Sequence, residues 1–137
     1  MNAPRTPVEL IRATALTGQA PYAYAAVAQG VSRLVFTAGA CPLDAAGSTV
    51  AVGDVAGQAE QVMANLSVAL QAAGANLADV VKTTVFVATN RQEDLLTAWE
   101  VVSRHFGDHD APSTLLGVAA LGYRDQLVEV EAIAALR

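Results

Sequence analysis

The chain has 137 residues, and its composition, 53% hydrophobic and 15% charged, excludes an extensively disordered protein. The length fits one domain spanning residues 1–137. The formal net charge of −5, without any run of lysine or arginine, argues against a nucleic-acid-binding protein, and the small charged fraction suits a subunit that buries part of its surface in an oligomer.

The N-terminal segment, about the first 20 residues, is predicted to be an extended lead-in because it contains Pro4, Pro7 and Gly18. It has no apolar h-region of the kind that a signal peptide needs. Nowhere does the chain contain the roughly 18 uninterrupted apolar residues that a membrane helix requires. These absences predict a cytoplasmic protein that has no membrane partner.

Two β-rich runs, residues 22–28 and 33–38, follow the lead-in. A short connection that contains Gln29 and Gly30 separates them, which predicts that the two strands pair as a hairpin. A second turn signal at residues 44–48 precedes a short predicted strand at residues 49–52.

Two amphipathic helices alternate with strands in the remainder of the chain. The first is predicted to begin after an N-cap at Asp54 and to end near Gly74, because apolar residues recur at intervals of three and four. The second is predicted to begin after Asn90, which with Glu93 resembles a capping box, and to end at Gly107. The remaining strands are predicted at residues 79–88, 113–121 and 127–134.

The order of these elements predicts an α+β fold with one mixed sheet and two helices packed on a single face. The opposite face of the sheet would be bare in a monomer, and its apolar residues predict burial against other subunits. Both faces of the last strand are largely apolar, so that strand is predicted to be central in the sheet.

Two glutamates interrupt the apolar pattern of the last strand. Glu129 and Glu131 share a face with Leu127 and Ile133, because side chains two residues apart point to the same side of a strand. A buried carboxylate is costly unless it is paired, hydrogen-bonded or protonated, and in such a setting it can act as a general acid or base. The alternative is that these carboxylates pair with arginines across a subunit interface or face solvent.

Three other candidate residues have structural interpretations beside the chemical ones. Cys41, the single cysteine, could be a nucleophile, but no base is near it in the sequence, so a small packed residue is favoured. His105 and His109 have a spacing that suits a metal ion on a regular helix, but Gly107 lies between them and breaks that helix. The sequence therefore predicts no metal site, and a lone cysteine excludes an intramolecular disulfide.

Several segments, in consistent order over about residues 20–135, resemble the RidA (YjgF) family of small trimeric proteins. Pro21-Tyr22 resembles the N-terminal Pro-Tyr-Ser segment of the family, and residues 34–43 resemble its FxSGQxPL strand and turn. Further matching segments lie at residues 61–66, 72–75, 79–87 and 127–134. Each segment is weak evidence alone, but together they are specific.

The resemblance implies a chorismate-mutase-like α+β fold and a homotrimer whose sheets form a central barrel with the helices outside. It also implies ligand clefts between subunits and hydrolysis of reactive enamines and imines to 2-oxo acids and ammonia, without a metal or organic cofactor. In that mechanism an arginine holds the substrate carboxylate and a glutamate positions or activates water. Glu129 matches that glutamate, and Tyr22 and Gly39 match residues that line the cleft.

The chain departs from the family pattern at two places in the predicted cleft. The family arginine lies in a Pro-Ala-Arg-Ser-Thr segment, whereas here Ser113 takes its place, or Thr114 if the following turn is shifted by one. A hydroxyl cannot grip a carboxylate in the bidentate way that a guanidinium does. Trp99 stands where archetypal members have an asparagine, which predicts a less polar cleft. The arginines that could enter the cleft from another direction are Arg33, Arg91, Arg104 and Arg124.

The leading hypothesis is a divergent RidA-like enzyme that hydrolyses an enamine, an imine or a related labile metabolite. Glu129 would handle water or a proton, and Ser113 or Thr114 would supply a hydrogen bond in place of the arginine. The alternative is a non-catalytic metabolite-binding or regulatory protein that uses the same cleft, which the missing arginine favours. A ribonuclease, an activity attached to some family members, is disfavoured by the acidic charge.

Overall fold

The computed structural model describes residues 6–137, so Pro4 and its neighbours in the predicted lead-in lie outside the described residues. Within this range no helix is long and apolar enough to cross a membrane. A 3₁₀ turn at Leu77–Asp79 precedes the fourth strand. The other elements in chain order are β1 (Val8–Ile11), β2 (Ala25–Ala28), β3 (Arg33–Phe36), α1 (Val55–Ala72), β4 (Val80–Ala88), α2 (Gln92–Phe106), β5 (Ser113–Val118) and β6 (Val128–Leu136).

The main sheet has four strands in the order β3-β6-β4-β5. β6 runs antiparallel to both β3 and β4, whereas β4 and β5 are parallel. A parallel pair needs a long crossover, which α2 provides. The sheet is therefore mixed, and the last strand lies inside it, as predicted.

The hydrophobic core lies between the two helices and one face of this sheet. α1 begins where the Asp54 carboxylate accepts a hydrogen bond from the amide of Gly57 (3.0 Å), which confirms the predicted N-cap. The apolar positions of α1 recur every three or four residues, so they form one face that packs on α2 and the sheet. Fully buried side chains from the helices and strands include Val62, Met63, Leu66, Val85, Val102 and Val130.

The opposite face of the main sheet is uncovered in the single chain. Leu34, Phe36 and Leu116 expose 56%, 69% and 43% of their surface there. Large apolar side chains clustered on one face in this way are typical of an interaction surface. This exposure agrees with the bare sheet face that the sequence predicts, while the subunits that would cover it remain a prediction.

The predicted hairpin between the first two β-rich runs is wrong. β2 pairs antiparallel with β1, a strand inside the predicted lead-in, and β3 pairs with β6. Gly30 turns the chain between β2 and β3 with a φ of 66°, but the turn directs β3 into the main sheet. Turn residues mark where a chain bends, and they do not specify which strands lie side by side.

The short strand predicted at residues 49–52 is also wrong. The extended segment there is limited to a single bridge between Leu43 and Thr49. Ala51 adopts a φ of 49° and Gly53 a φ of 78°, so the backbone leaves the β region before a strand can form.

The capping box predicted at Asn90 does not form. The N-cap of α2 is Arg91, and no side chain caps it. Instead the Thr89 hydroxyl accepts a hydrogen bond from the Arg91 amide and donates one to Asp94 (2.7 Å). Thr89, two residues before the N-cap, therefore organises this turn, and the helix starts one residue later than predicted.

Candidate active site

Glu129 lies on β6 and projects from the sheet face opposite the helices. Its neighbours Val128 and Val130 are fully buried on the helix side, which leaves Glu129 half-buried on the outer side. Its Oε1 atom accepts hydrogen bonds from the Cys41 thiol (3.3 Å) and from Nε2 of Gln126 (3.1 Å). Among residues 6–137 no lysine or arginine forms an ion pair with Glu129, so its partners here are neutral.

Gly39 lies directly against the Glu129 carboxylate. A Cβ atom built at position 39 would be 2.3 Å from Oε2 and 2.5 Å from Cδ of Glu129. These distances are far inside van der Waals contact, so any larger residue at position 39 must displace the carboxylate. The structure therefore brings together Glu129 and Gly39, which the resemblance places in one cleft.

A separate pocket of about 480 Å³, called here the Tyr22–Trp99 pocket, is lined by the other four predicted site residues: Tyr22, Trp99, Ser113 and Thr114. The Tyr22 ring meets the Trp99 ring edge-on, with centroids 6.1 Å apart and an interplanar angle of 87°. The other lining residues are all apolar: Pro21, Leu96 and Leu115. The pocket is largely hydrophobic and contains no charged side chain, and its hydroxyl groups belong to Tyr22, Ser113 and Thr114.

Both hydroxyls at the predicted arginine position already have partners. Ser113 Oγ donates to the carbonyl oxygen of Ala111 (2.9 Å), and Thr114 Oγ1 accepts from the Lys82 ammonium group (2.6 Å). Neither hydroxyl replaces the charge of a guanidinium. Lys82 brings a cation close to Thr114, and the sequence pattern of a β-branched strand gives no hint of that contact.

The predicted site residues thus form two separate groups within one chain. Ser113 pairs with Thr83, whose side chain is buried on the helix side of the sheet, whereas Glu129 projects from the outer side. The lining of the Tyr22–Trp99 pocket includes neither Glu129 nor Gly39. Within one chain, the two groups therefore do not line a common pocket.

The four arginines considered for the cleft, Arg33, Arg91, Arg104 and Arg124, do not line the Tyr22–Trp99 pocket. Two of them are neutralised on the surface, where Arg91 pairs with Glu93 and Arg104 with Glu60. Exposed ion pairs of this kind contribute little to stability. No arginine of the described chain therefore restores carboxylate recognition inside this pocket.

Two residues near the site carry no sequence signal. Gln126 precedes β6 and donates to Glu129 from a buried position, which only the folded turn reveals. Arg12 belongs to the lead-in, yet it forms a bidentate ion pair with Asp110. Arg12 also lines a separate pocket of about 520 Å³, and Tyr22 lines both this pocket and the one that contains Trp99. No motif marks either position, because each depends on contacts between distant parts of the chain.

His105 and His109 are engaged away from the candidate site. His105 Nε2 lies 2.8 Å from Oε2 of Glu60, and this hydrogen bond is the main cause that lowers the pKa of Glu60, with the Arg104 charge adding to it. His109 Nε2 lies 2.7 Å from the carbonyl oxygen of Val80. Within residues 6–137 no three side chains of metal-ligating type cluster together.

The Cys41 thiol is held in its neutral form. Partial burial and, to a smaller extent, the hydrogen bond to Glu129 together raise its pKa from an ordinary 9.0 to about 11. Because a thiolate is the reactive form, Cys41 is a poor nucleophile near neutral pH. The neutral thiol stabilises the folded state below pH 9.0, and this contribution is lost as the pH rises to about 11.

We expect alkylation of Cys41 by iodoacetamide to be slow near neutrality and to accelerate up to about pH 11. In Glu129→Gln the midpoint of this profile should move to lower pH, because the negative charge beside the thiol is gone while its burial remains. Mass spectrometry of the single cysteine gives the rate at each pH. A thiol that reacts at its full rate near neutral pH would contradict the assigned geometry.

Residues 13–136 match the family model described as Endoribonuclease L-PSP. A 2-iminobutanoate/2-iminopropanoate deaminase of Salmonella typhimurium is 36% identical over 128 residues, which cover 90% of this chain and 98% of the relative. A RutC family protein of Pyrococcus abyssi is 36% identical over 104 residues, which cover 76% of this chain and 80% of that protein.

Solved structures show the same fold. The crystal structure of a Yersinia pestis protein of unknown function from the conserved Rid family superposes with a TM-score of 0.86 at 28% identity, covering 95% of this chain and 99% of that one. The YjgF gene product of E. coli gives a TM-score of 0.66 at 34% identity, with 88% and 91% covered. The predicted RidA-like α+β fold is confirmed, and the chain belongs to the RidA (YjgF/Rid) family.

Proposed function

We propose that this protein hydrolyses reactive imines or enamines to oxo compounds and ammonia, with Glu129 acting in a cleft between subunits. The observation that carries the proposal is the Glu129 carboxylate, half-buried on the uncovered sheet face, whose Oε2 atom has no hydrogen-bond donor among residues 6–137. Such an oxygen can accept a proton from a water molecule. The deaminase name of the Salmonella typhimurium relative supports the same class of reaction.

The proposed reaction moves protons but no electrons between molecules. Glu129 takes a proton from water while the water oxygen bonds to the imine carbon, and the C=N electron pair moves to nitrogen, which takes that proton from Glu129. In the carbinolamine that results, Glu129 takes the hydroxyl proton as the C=O bond forms and delivers it to the nitrogen, which leaves as ammonia. Glu129 is ionised again at the end, so one carboxylate serves both proton transfers.

The cleft is proposed to form in a homotrimer. The exposed Leu34, Phe36 and Leu116 suit coverage by a neighbouring subunit, and Glu129 projects from the same face. The Tyr22–Trp99 pocket lies beside β5, the edge strand of the main sheet. Contact between the sheet face of one subunit and the β5 edge of another would bring the two groups into one site, and light scattering of the full chain should give the mass of three chains.

The substrate is proposed to be an imine with an apolar or aromatic substituent that depends little on a carboxylate. Leu96, Trp99 and Leu115 favour apolar groups, and Ser113 uses its hydroxyl on the carbonyl of Ala111. A charged imino acid would lose the bidentate contact that an arginine provides. Neutral or aromatic imines should therefore be turned over faster than 2-iminopropanoate.

Ser113→Arg should raise kcat/KM for 2-iminopropanoate by about tenfold or more, because it adds a charged bidentate donor beside the pocket. Thr114→Arg is the matched variant, since the side chain of the next residue points to the other side of the strand. The rate of ammonia release measures both. A larger gain in Thr114→Arg would show that position 114, not 113, corresponds to the arginine of the family.

A panel of imines generated in place by an amino-acid oxidase tests the proposal directly. Purified protein should accelerate the disappearance of at least one imine and release ammonia in equal amount. Saturable binding by calorimetry without turnover would instead support the non-catalytic binding protein, which the lack of a guanidinium in the Tyr22–Trp99 pocket favours. RNA cleavage that survives Glu129→Gln would support the activity in the description of the family model, against the net charge of −5.

A further inference from the structure

We propose that Gln126 and Cys41 are positioning residues for Glu129, which hold its Oε1 atom with two hydrogen bonds and leave Oε2 free for the reacting water. This inference rests on the function proposed above. It assigns a role to Gln126, which no sequence motif marks, and to Cys41, for which the sequence favours only a packing role. Three features of the geometry support it.

The first feature is the fixed orientation of the Gln126 amide. Gln126 is only 4% exposed, and its Nε2 donates to the Val128 carbonyl oxygen and to Glu129 Oε1, both at 3.1 Å. Its Oε1 atom accepts from the amide of Tyr123 at 3.1 Å. A flipped amide would place an oxygen against two other oxygens and an NH₂ group against an N–H. Gln126 is therefore a donor to Glu129 in the only orientation that satisfies all three contacts.

The second feature is the clamped position of the Cys41 backbone. The side-chain amide of Asn65, on α1, donates to the carbonyl oxygens of Cys41 (2.8 Å) and Leu43 (2.9 Å). This clamp fixes the segment that delivers the thiol to within 3.3 Å of Glu129 Oε1. The thiol is thus held by a rigid helix rather than by a free loop.

The third feature is the asymmetry between the two carboxylate oxygens. Gln126 Nε2 and the Cys41 thiol, whose single proton has the Gly39 carbonyl oxygen as its other acceptor (3.4 Å), both reach Oε1. Oε2 instead lies over the bare backbone of Gly39, where even a methyl group would collide with it. A carboxylate held at one oxygen cannot rotate about its terminal bond without breaking two hydrogen bonds. The other oxygen is thereby kept in one direction, which a general base requires for proton transfer at hydrogen-bond distance.

Variants of Cys41 and Gln126 test the proposal, because a loss of orientation should lower kcat whereas a loss of binding should raise KM. Cys41→Ala and Gln126→Glu should each lower kcat about tenfold with KM within about twofold, because orientation rather than binding is lost. Gln126→Glu keeps the shape and the acceptor for Tyr123 but turns an oxygen toward Glu129. Cys41→Ser keeps a donor and should retain most of the wild-type kcat. Unchanged kcat in both Cys41→Ala and Gln126→Glu, with Glu129 still required, would overturn the inference and leave the proposed function standing.

A spectroscopic measurement keeps the test independent of turnover. Because the chain has a single cysteine, its infrared S–H stretching band reports on Cys41 alone. The band should lie at a lower frequency in the wild type than in Glu129→Leu, since a thiol that donates to a carboxylate has a weakened S–H bond. If the band shifts as expected but no imine is hydrolysed, the proposed function fails while the contact is upheld. An identical band in both proteins would overturn the contact itself.

Discussion

Replacing Glu129 with glutamine should lower the rate of imine hydrolysis by at least about 100-fold, the smaller end of what a positioned general base contributes. Glutamine has nearly the same shape, so the packing beside Val128 and Val130 is retained and the thermal midpoint should change little. Its amide nitrogen or oxygen cannot take a proton from water near neutral pH. The loss should therefore appear in kcat, measured as ammonia release at saturating imine.

Glu131→Gln is the matched control for this result. Glu131 lies two residues farther along β6 on the same face, is exposed, and forms no ion pair among residues 6–137. Its replacement removes one negative charge from the same strand and should leave kcat within about twofold, because the Glu131 side chain makes no hydrogen bond to Glu129, Gln126 or Cys41. Equal losses in both variants would mean that general electrostatics, and not the Glu129 carboxylate, controls the rate.

Gly39→Ala should abolish most activity while costing little stability. The added methyl group would lie 2.3 Å from Oε2 and 2.7 Å from Cγ of Glu129, so the flexible glutamate side chain must rotate away. Because a side chain rather than backbone gives way, the free energy of unfolding should fall by only about 1 kcal/mol, whereas misplacing the base by about 1 Å costs on the order of 100-fold in rate.

Alanine substitutions at two other glycines are controls for the effect of Gly39→Ala on rate and stability. Gly122→Ala meets no atom within 4 Å and should be silent in both rate and stability. Gly117→Ala places its methyl group 2.8 Å from the backbone carbonyl oxygen of Thr89, which cannot rotate aside, so it should destabilise the fold more than Gly39→Ala does. Gly39→Ala with wild-type kcat would show that the position of Oε2 does not matter for the chemistry.

Local patterns in the sequence were sufficient to predict the helices, the central last strand and the face that carries Glu129. Periods of two and of three to four residues encode these features directly. The Asp54 cap was predictable for the same reason, since the capping hydrogen bond spans three residues. Only the family resemblance predicted that Gly39 and Glu129 are close in space, because these residues lie far apart in the chain and no local pattern connects them.

Contacts between distant segments could not be predicted. The pairing of β3 with β6 and of β1 with β2 depends on which partner completes the core, and no turn residue encodes that choice. The hydrogen bonds of Gln126 and the ion pair of Arg12 with Asp110 likewise depend on where folded loops come to rest. A single residue in a loop has no periodic sequence pattern from which its contacts can be predicted, so these contacts are found only in the structure.

The central place of β6 has a consequence for how the chain is made. β3 and β4 both pair with β6, so a growing polypeptide that lacks residues 128–136 leaves β3 without a partner strand and one edge of the β4–β5 pair open, together with the apolar side chains beside them. α1 can form early from local contacts, whereas the sheet must wait until β6 has left the ribosome. Until β6 is synthesised, the uncovered apolar side chains of the nascent chain can associate with those of other nascent chains. The strand that covers them, β6, is also the strand that carries Glu129.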